Sequence, residues 1–250
     1  MSSLEAFVKT VRQEFPDDRL TRQNQVPTFH PECAEEAARL VKLAGRSGQR
    51  LFIAGFGNNI QPVGKPFVSM MVLKTDRLNR LHEISAKDLF VTTGAGYPIR
   101  EINRKLNETN LFLPHALLPY AGSVGGALAI GLSADSDGHD LPLKRYLLRA
   151  EIVTPEGEII TPGSICFKSV SGYDVVKLFA GSWGLLGLIV SASLRVMPDS
   201  AVDDYRLIRM KAADRENFLA GLADDNDSAD AVYSRKIKQK FDPGNVLPIV

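Results

Sequence analysis

Three glycine-containing stretches, in a set order and each bordering an apolar run, constrain this chain most. They are Gly55-Phe56-Gly57-Asn58-Asn59, Gly122-Ser123-Val124-Gly125-Gly126 and Gly181-Ser182-Trp183-Gly184-Leu185-Leu186-Gly187. Where side chains are small, main-chain N–H groups can converge on something large and anionic. One such loop suits a single phosphate or a plain tight turn. Three on one chain point to an extended cofactor threaded through the fold.

Each loop has a plainer reading when taken singly. Gly55–Asn59 follows the apolar run Arg50–Ala54, and a strand ending in a glycine turn can aim several N–H groups at a pyrophosphate. It is not a Walker loop, because no Gly-Lys-Ser/Thr follows. It is not the dinucleotide fingerprint either, because Ile60 stands where the third glycine belongs. A tight turn explains it equally well. In Gly122–Gly126, Ser123 adds a hydroxyl donor, and close backbone packing is the competing explanation. In Gly181–Gly187 a helix ends, a polar turn carries Ser182, and an apolar strand begins. Trp183 reads there as a core aromatic in preference to a wall beside a ring system.

The remaining chemistry is sparse. Thirty basic and 29 acidic residues give a net charge of +1, so no global field draws nucleic acid or an acidic membrane. Lys and Arg are not interleaved with aromatics. Cys33 and Cys166 make neither a disulfide framework nor a metal site and read as reduced, buried or half-buried thiols. His30, His82, His115 and His139 lack metal-ligand spacing. No Gly-x-Ser-x-Gly elbow supports serine hydrolysis. The acidic run Asp224-Asp225-Asn226-Asp227 lacks the glycine and terminal glutamate of a calcium loop and reads as solvated. The longest apolar runs are too short to span a bilayer, and residues 1–15 read as an amphipathic helix, not a signal peptide. The expected setting is cytoplasmic, with membrane association only through a partner.

Periodicity predicts a helix over 31–44 stopped by Gly45 or Gly48, strands at 50–54, 68–73 and 89–93, and a helix over 99–107. Residues 19–30 look extended. Residues 133–141 read as a polar loop. Residues 147–154 and 158–161 flank Pro155-Glu156-Gly157 as a hairpin. A short helix over 173–179 and a long strand over 185–196 complete the pattern. Strands and helices alternate early and hairpins dominate later, so the fold class is α+β.

The order of these motifs resembles the FAD-binding domain of the vanillyl-alcohol oxidase / p-cresol methylhydroxylase (PCMH-type) superfamily, nearest the FAD-binding subunits of bacterial glycolate oxidases. The resemblance rests on Ile53–Asn59, Val72-Leu73-Lys74-Thr75-Asp76-Arg77-Leu78, Val91-Thr92-Thr93-Gly94-Ala95-Gly96 and Gly122–Gly131. It rests most on Lys168-Ser169-Val170-Ser171-Gly172-Tyr173-Asp174 running into Leu178–Gly187. It covers residues 25–198, and Ile237–Gly244 is similar to that family's C-terminal tail.

The resemblance implies two α+β subdomains with FAD extended between them. Gly55, Phe56, Gly57, Asn58 and Asn59 with Gly122, Ser123, Val124, Gly125 and Gly126 would hold the pyrophosphate and ribityl region. Ile189 and its neighbours would meet the adenine through main-chain groups, and Gly184 and Gly187 would also bind the cofactor. Lys168, Gly172 and Tyr173 would lie on the flavin side. The first loop carries no His or Cys, so non-covalent FAD is expected. The implied layout is an N-terminal helix and lead-in (1–24), the FAD-binding domain (25–198), a vestigial cap segment (199–235) and a tail packed on the FAD domain (236–250).

The implied function is that of an FAD-binding oxidoreductase subunit acting on the CH–OH group of a glycolate- or lactate-like 2-hydroxy acid. Electrons would pass to a partner, either a catalytic flavoprotein or an iron–sulfur subunit. The cap that usually supplies the catalytic histidine and a carboxylate-clamping arginine is largely missing here, so no catalytic residue is assigned. An FAD-binding structural or electron-relay module remains the alternative.

Overall fold

The computed structural model describes residues 3–165, 175–205, 208–211, 214–223 and 225–249. Helix α1 (Ser3–Glu14) buries Leu4, Phe7, Val8 and Val11, the apolar positions at helical spacing. Strands β1 (Leu20–Gln23) and β2 (Val26–Phe29) form a hairpin where the sequence indicates only extended chain. Its two-residue turn, Asn24-Gln25, has positive φ at both positions, the twist that suits a tight hairpin. Helix α2 (Ala34–Ser47) runs through Gly45 and ends at Gly48, whose left-handed conformation closes it. Strands β3 (Arg50–Ala54) and β4 (Met70–Lys74) lie parallel and complete a four-stranded sheet in the order β1-β2-β4-β3.

The second sheet is antiparallel throughout. Its early strands are β5 (Leu81–Ser85), which the sequence does not announce, and β6 (Phe90–Gly94). The expected helix over 99–107 is fragmented, with 3-10 turns on either side of α3 (Ile102–Leu106). Strand β7 (Leu111–Phe112) follows, then α4 (Val124–Ala129). Residues 133–142 are a hairpin of β8 (Ser133–Ser136) and β9 (His139–Pro142), not a loop. Asp137-Gly138, both at positive φ, turns it, and its polarity disguised the alternation. Strands β10 (Leu147–Val153) and β11 (Ile159–Ile160) form the expected hairpin. Helix α5 (Val176–Phe179) leads to β12 (Leu188–Arg195), giving the order β11-β10-β12-β6-β5.

Strand β13 (Met197–Pro198) pairs with β7, and β14 (Arg209–Lys211) pairs with β8. Helices α6 (Arg215–Ala220) and α7 (Ala229–Phe241) follow, and α7 crosses the boundary expected between residues 235 and 236. The mixed α+β fold holds two main cores. One gathers α1, α2, β3 and β4; the other gathers β6, α3, α4, β10 and β12. Strand β12 joins them, since Leu188 and Val190 pack in the first core while Ile189, Ala192 and Leu194 pack in the second. Side chains alternate between faces along a strand, and a register shift at Val190 resets the alternation, so Ile189 shares the second core with Ala192 and Leu194 and the strand forms the seam. Cys33 is exposed at the N-cap of α2, where the helix end meets solvent, in contrast to the buried or half-buried thiol expected; Cys166 lies outside the described residues.

His115 shows how far burial departs from sequence position. It is fully buried, edge-on to Tyr146 with ring centroids 4.9 Å apart. Its Nε2 lies 2.9 Å from the Leu141 carbonyl, so that nitrogen carries the proton and donates. Its Nδ1 has no partner among the described residues. Desolvation holds its pKa below the ordinary 6.5, only partly opposed by the bond to Leu141. The neutral form is therefore favoured in the fold. Above the unfolded-state pKa of about 6.5, this group costs nothing. As pH falls below it, the unfolded chain takes up a proton that the folded chain refuses, and stability falls by up to about 1.4 kcal/mol per pH unit. Urea denaturation between pH 7.5 and 5 is expected to show this fall in the wild type and a shallower one in His115→Gln.

Candidate cofactor site

The seam between the two cores opens into a cavity of about 450 Å³. One wall comes from the end of β3 and the loop after it, residues 52–60, with Thr75 beyond β4. The other comes from residues 120–132 around α4 and from residues 179–189 leading into β12. All three glycine-rich stretches therefore meet at one place, although about 130 residues separate the first from the last.

The two leading loops touch. A Cβ on Gly55 would lie 2.9 Å from Ser123 Oγ and 3.6 Å from Gly126 Cα. A Cβ on Gly122, whose φ is +76°, would lie 3.6 Å from Asn58 Nδ2. Ser123 caps α4, its Oγ accepting from the Gly126 N–H, so it has a structural duty besides any hydroxyl it offers the cavity. Removing a cap of this kind costs about 1 kcal/mol. Ser123→Ala is expected to lower the urea midpoint accordingly, with Ser123→Thr close to wild type.

Among the described residues, nothing accepts a hydrogen bond from the main-chain N–H groups of Gly55 through Ile60, or from those of Gly122 and Ser123. Neighbouring donors behave differently, since Val124 N–H reaches Tyr97 O at 2.9 Å and Gly125 N–H reaches Ala95 O at 2.8 Å. Both stretches line the cavity, and a cluster of main-chain donors at one concavity suits an oxyanion such as a diphosphate. Apart from Thr75 and Ser182, the rest of the wall is glycine or apolar and aromatic, including Phe52, Ile53, Ile130, Leu132, Phe179 and Met210. Flat, largely apolar walls with few polar groups suit planar ring systems. The residues present therefore fit a cofactor that combines a diphosphate with aromatic rings.

Of the expected site residues, Gly55, Phe56, Gly57, Asn58, Asn59, Gly122, Ser123, Gly125, Gly126, Gly184, Gly187 and Ile189 line the cavity. Val124 does not: its side chain is wholly buried in the second core, because it is the first residue of α4 and points inward. Lys168, Gly172 and Tyr173 lie outside the described residues. Two wall residues, Tyr120 and Met210, belong to no motif and are placed there by the chain path alone, while Thr75 and Ile130 lie in motif stretches but are not among the expected site residues. Trp183 is half-buried at the cavity wall and not a core aromatic. His139 sits exposed on the β8–β9 hairpin, and His115 is core, so neither borders the cavity. Among the described lining residues none is a histidine, lysine, arginine, aspartate or glutamate. Among the described residues no group of three or more His, Cys, Asp or Glu could hold a metal, and no helix is long and apolar enough to cross a membrane.

Comparison with known proteins agrees with this geometry. Residues 27–163 match the family model described as FAD binding domain. The chain is 28% identical to D-lactate dehydrogenase of Archaeoglobus fulgidus over 171 residues, 67% of this chain and 38% of that protein. It is 31% identical to the mitochondrial D-lactate dehydrogenase [cytochrome] of Arabidopsis thaliana over 174 residues, 70% of this chain and 29% of that protein. It is 29% identical to glycolate oxidase subunit GlcE of Escherichia coli over 113 residues, 44% of this chain and 32% of that protein. The chain thus spans less than half the length of these relatives. The same fold occurs in a solved alkyldihydroxyacetonephosphate synthase, with a TM-score of 0.62 and 22% identity over 78% of this chain and 40% of that one. A family match across more than half the chain, on a fold that brings three glycine-rich loops around one cavity, has a single reading: this chain belongs to the FAD-binding domain family, of the PCMH type its motif order resembles.

Proposed function

We propose that this chain is the FAD-binding part of an oxidoreductase acting on the CH–OH group of a small 2-hydroxy acid, with electrons leaving FAD for a partner subunit. The observation that carries the reading is the convergence on one largely apolar cavity of Gly55–Ile60 and Gly122-Ser123, whose main-chain N–H groups meet no acceptor among the described residues. The relatives support the substrate class, since they include D-lactate dehydrogenases, glycolate oxidase subunits and a D-2-hydroxyglutarate dehydrogenase. Bound FAD supplies hydride acceptance from the hydroxyl-bearing carbon. The protein's share is to bind, orient and shield. Gly55–Asn59 with Gly122, Ser123, Gly125 and Gly126 would hold the diphosphate, while Gly184, Gly187 and Ile189 would border an aromatic ring. Lys168, Gly172 and Tyr173 belong to the flavin side of the same reading. With no His or Cys among the described wall residues, the binding we propose is non-covalent.

One observation favours a second reading, an FAD-holding relay without its own substrate chemistry. The described cavity wall contains no His, Asp, Glu or Lys to take the hydroxyl proton and no cation to clamp a carboxylate. In the domain layout we propose, residues 25–198 bind FAD, 199–235 are a remnant of a substrate-covering cap, and 236–250 fasten to the FAD domain. A catalytic flavoprotein or iron–sulfur partner would then complete the open face.

The visible absorption spectrum after FAD addition and gel filtration tests the first step. Flavin bands that stay with the protein are expected, and their loss at excess FAD would overturn the reading. Anaerobic addition of D-lactate or glycolate tests the second. Bleaching only with a partner present is expected. Rapid turnover by the isolated chain would overturn the subunit role.

A further inference from the structure

Trp183 is the chain's only tryptophan and occupies a conformation that tryptophan rarely adopts. Its φ is +53°, and its neighbours Gly181 (φ +84°) and Gly184 (φ +79°) show that the turn is built for glycine. A bulky residue persists at such a position only where the surroundings hold it, and such outliers cluster at ligand clamps. Here the ring is not explained by core packing. It is half-buried and borders both the main cavity and a small adjoining one. The backbone anchors it, since the Trp183 N–H donates to Ala129 O at 2.8 Å, at the last residue of α4. The donor cradle lies at the opposite end of that six-residue helix, about 9 Å away along the axis. Behind the indole, Phe218 of α6 lies 5.9 Å away with the two rings inclined by 31°.

We propose that Trp183, backed by Phe218, is the aromatic wall on which one planar ring of the bound cofactor stacks. This rests on the FAD reading above. The segment after β13 then has a task, because α6 braces the wall from outside while Met210 of β14 borders the same cavity. A ring placed there lies a short helix away from its own diphosphate, as in a molecule that joins the two by a sugar or sugar-alcohol.

Three proteins decide it: wild type, Trp183→Gly and Trp183→Phe. Each is titrated with FAD, with ADP and with FMN, and the melting temperature of each ligand-free protein is recorded. Glycine suits the backbone at this φ. The ligand-free Trp183→Gly protein is therefore expected to melt at or above the wild-type temperature. Its dissociation constant for FAD should rise at least tenfold, and Trp183→Phe should recover most of the loss. A rise confined to ADP identifies the adenine as the stacked ring; one confined to FMN identifies the isoalloxazine. Unchanged affinity in Trp183→Gly, with flavin still retained, overturns this proposal and leaves the FAD reading intact. A ligand-free melting temperature that drops by several degrees also overturns it, because the ring is then a structural brace. Failure of the wild type to retain FAD overturns both.

Discussion

Replacing Asp242 by alanine is expected to destabilise the protein by about 3–5 kcal/mol, the usual cost of removing one member of a buried, hydrogen-bonded ion pair. The side chain of Asp242 is 1% exposed. One carboxylate oxygen accepts from the Val246 N–H at 2.8 Å, the other from the Leu247 N–H at 2.8 Å, and Lys238 supplies the counter-charge from one turn earlier in α7. Alanine would leave a largely buried ammonium and two main-chain donors without partners. It would also release the residues beyond α7. Val246 and Leu247 are buried against the core of α1, α2 and β3, and the Val246 carbonyl accepts from the Leu51 N–H at 2.7 Å. Leu51 lies on the strand that delivers the first glycine loop. Loss of the tail should therefore loosen that loop as well as lower the denaturation midpoint. Chemical denaturation checks the first effect, and FAD titration under native conditions the second. Asp242→Asn, which keeps an acceptor but not the charge, should fall between. A change below about 1 kcal/mol would mean that the tail contributes little to the fold.

Replacing Gly122 by valine is expected to weaken FAD binding by a hundredfold or more on the proposed reading. Two costs coincide. The residue sits at φ +76°, where a β-branched side chain is strongly disfavoured, and its new Cβ would face Asn58 Nδ2 at 3.6 Å across the gap between the two loops. Relieving the strain turns the peptide and redirects the N–H groups of residues 122 and 123. Hydrogen bonds to a charged group contribute about 1.5–3 kcal/mol each. Two misdirected donors thus account for the hundredfold loss, at about 1.4 kcal/mol per factor of ten. Gly138→Ala is the control. It also has positive φ, but nothing lies within 4 Å of its added Cβ and it is not part of the described cavity wall. It should lose a little stability and no affinity. Equal loss of affinity in both variants would show strain, not site geometry, to be the cause.

The α+β class, the family and the three loops that line the cavity are legible in the order of residues alone. They depend on local rules: apolar spacing in α1 and α2, the run Arg50–Ala54 leading into a glycine turn, and glycines where a Cβ would collide or a left-handed φ is required. Such constraints act over a few residues and leave a direct mark on residue type. Long-range packing governs the features that depend on chain segments far apart. It sends Val124 into the core, because the second loop becomes a helix whose first residue points inward. It buries His115 under Tyr146 and Leu141, and it pairs polar residues 133–142 as a hairpin with β14 alongside. It places Trp183 at the cavity wall, since its surroundings arrive from Ala129 more than fifty residues earlier and from Phe218 thirty-five residues later. Whether a large aromatic is core or wall depends on what the rest of the chain packs beside it, and no spacing within one loop encodes that.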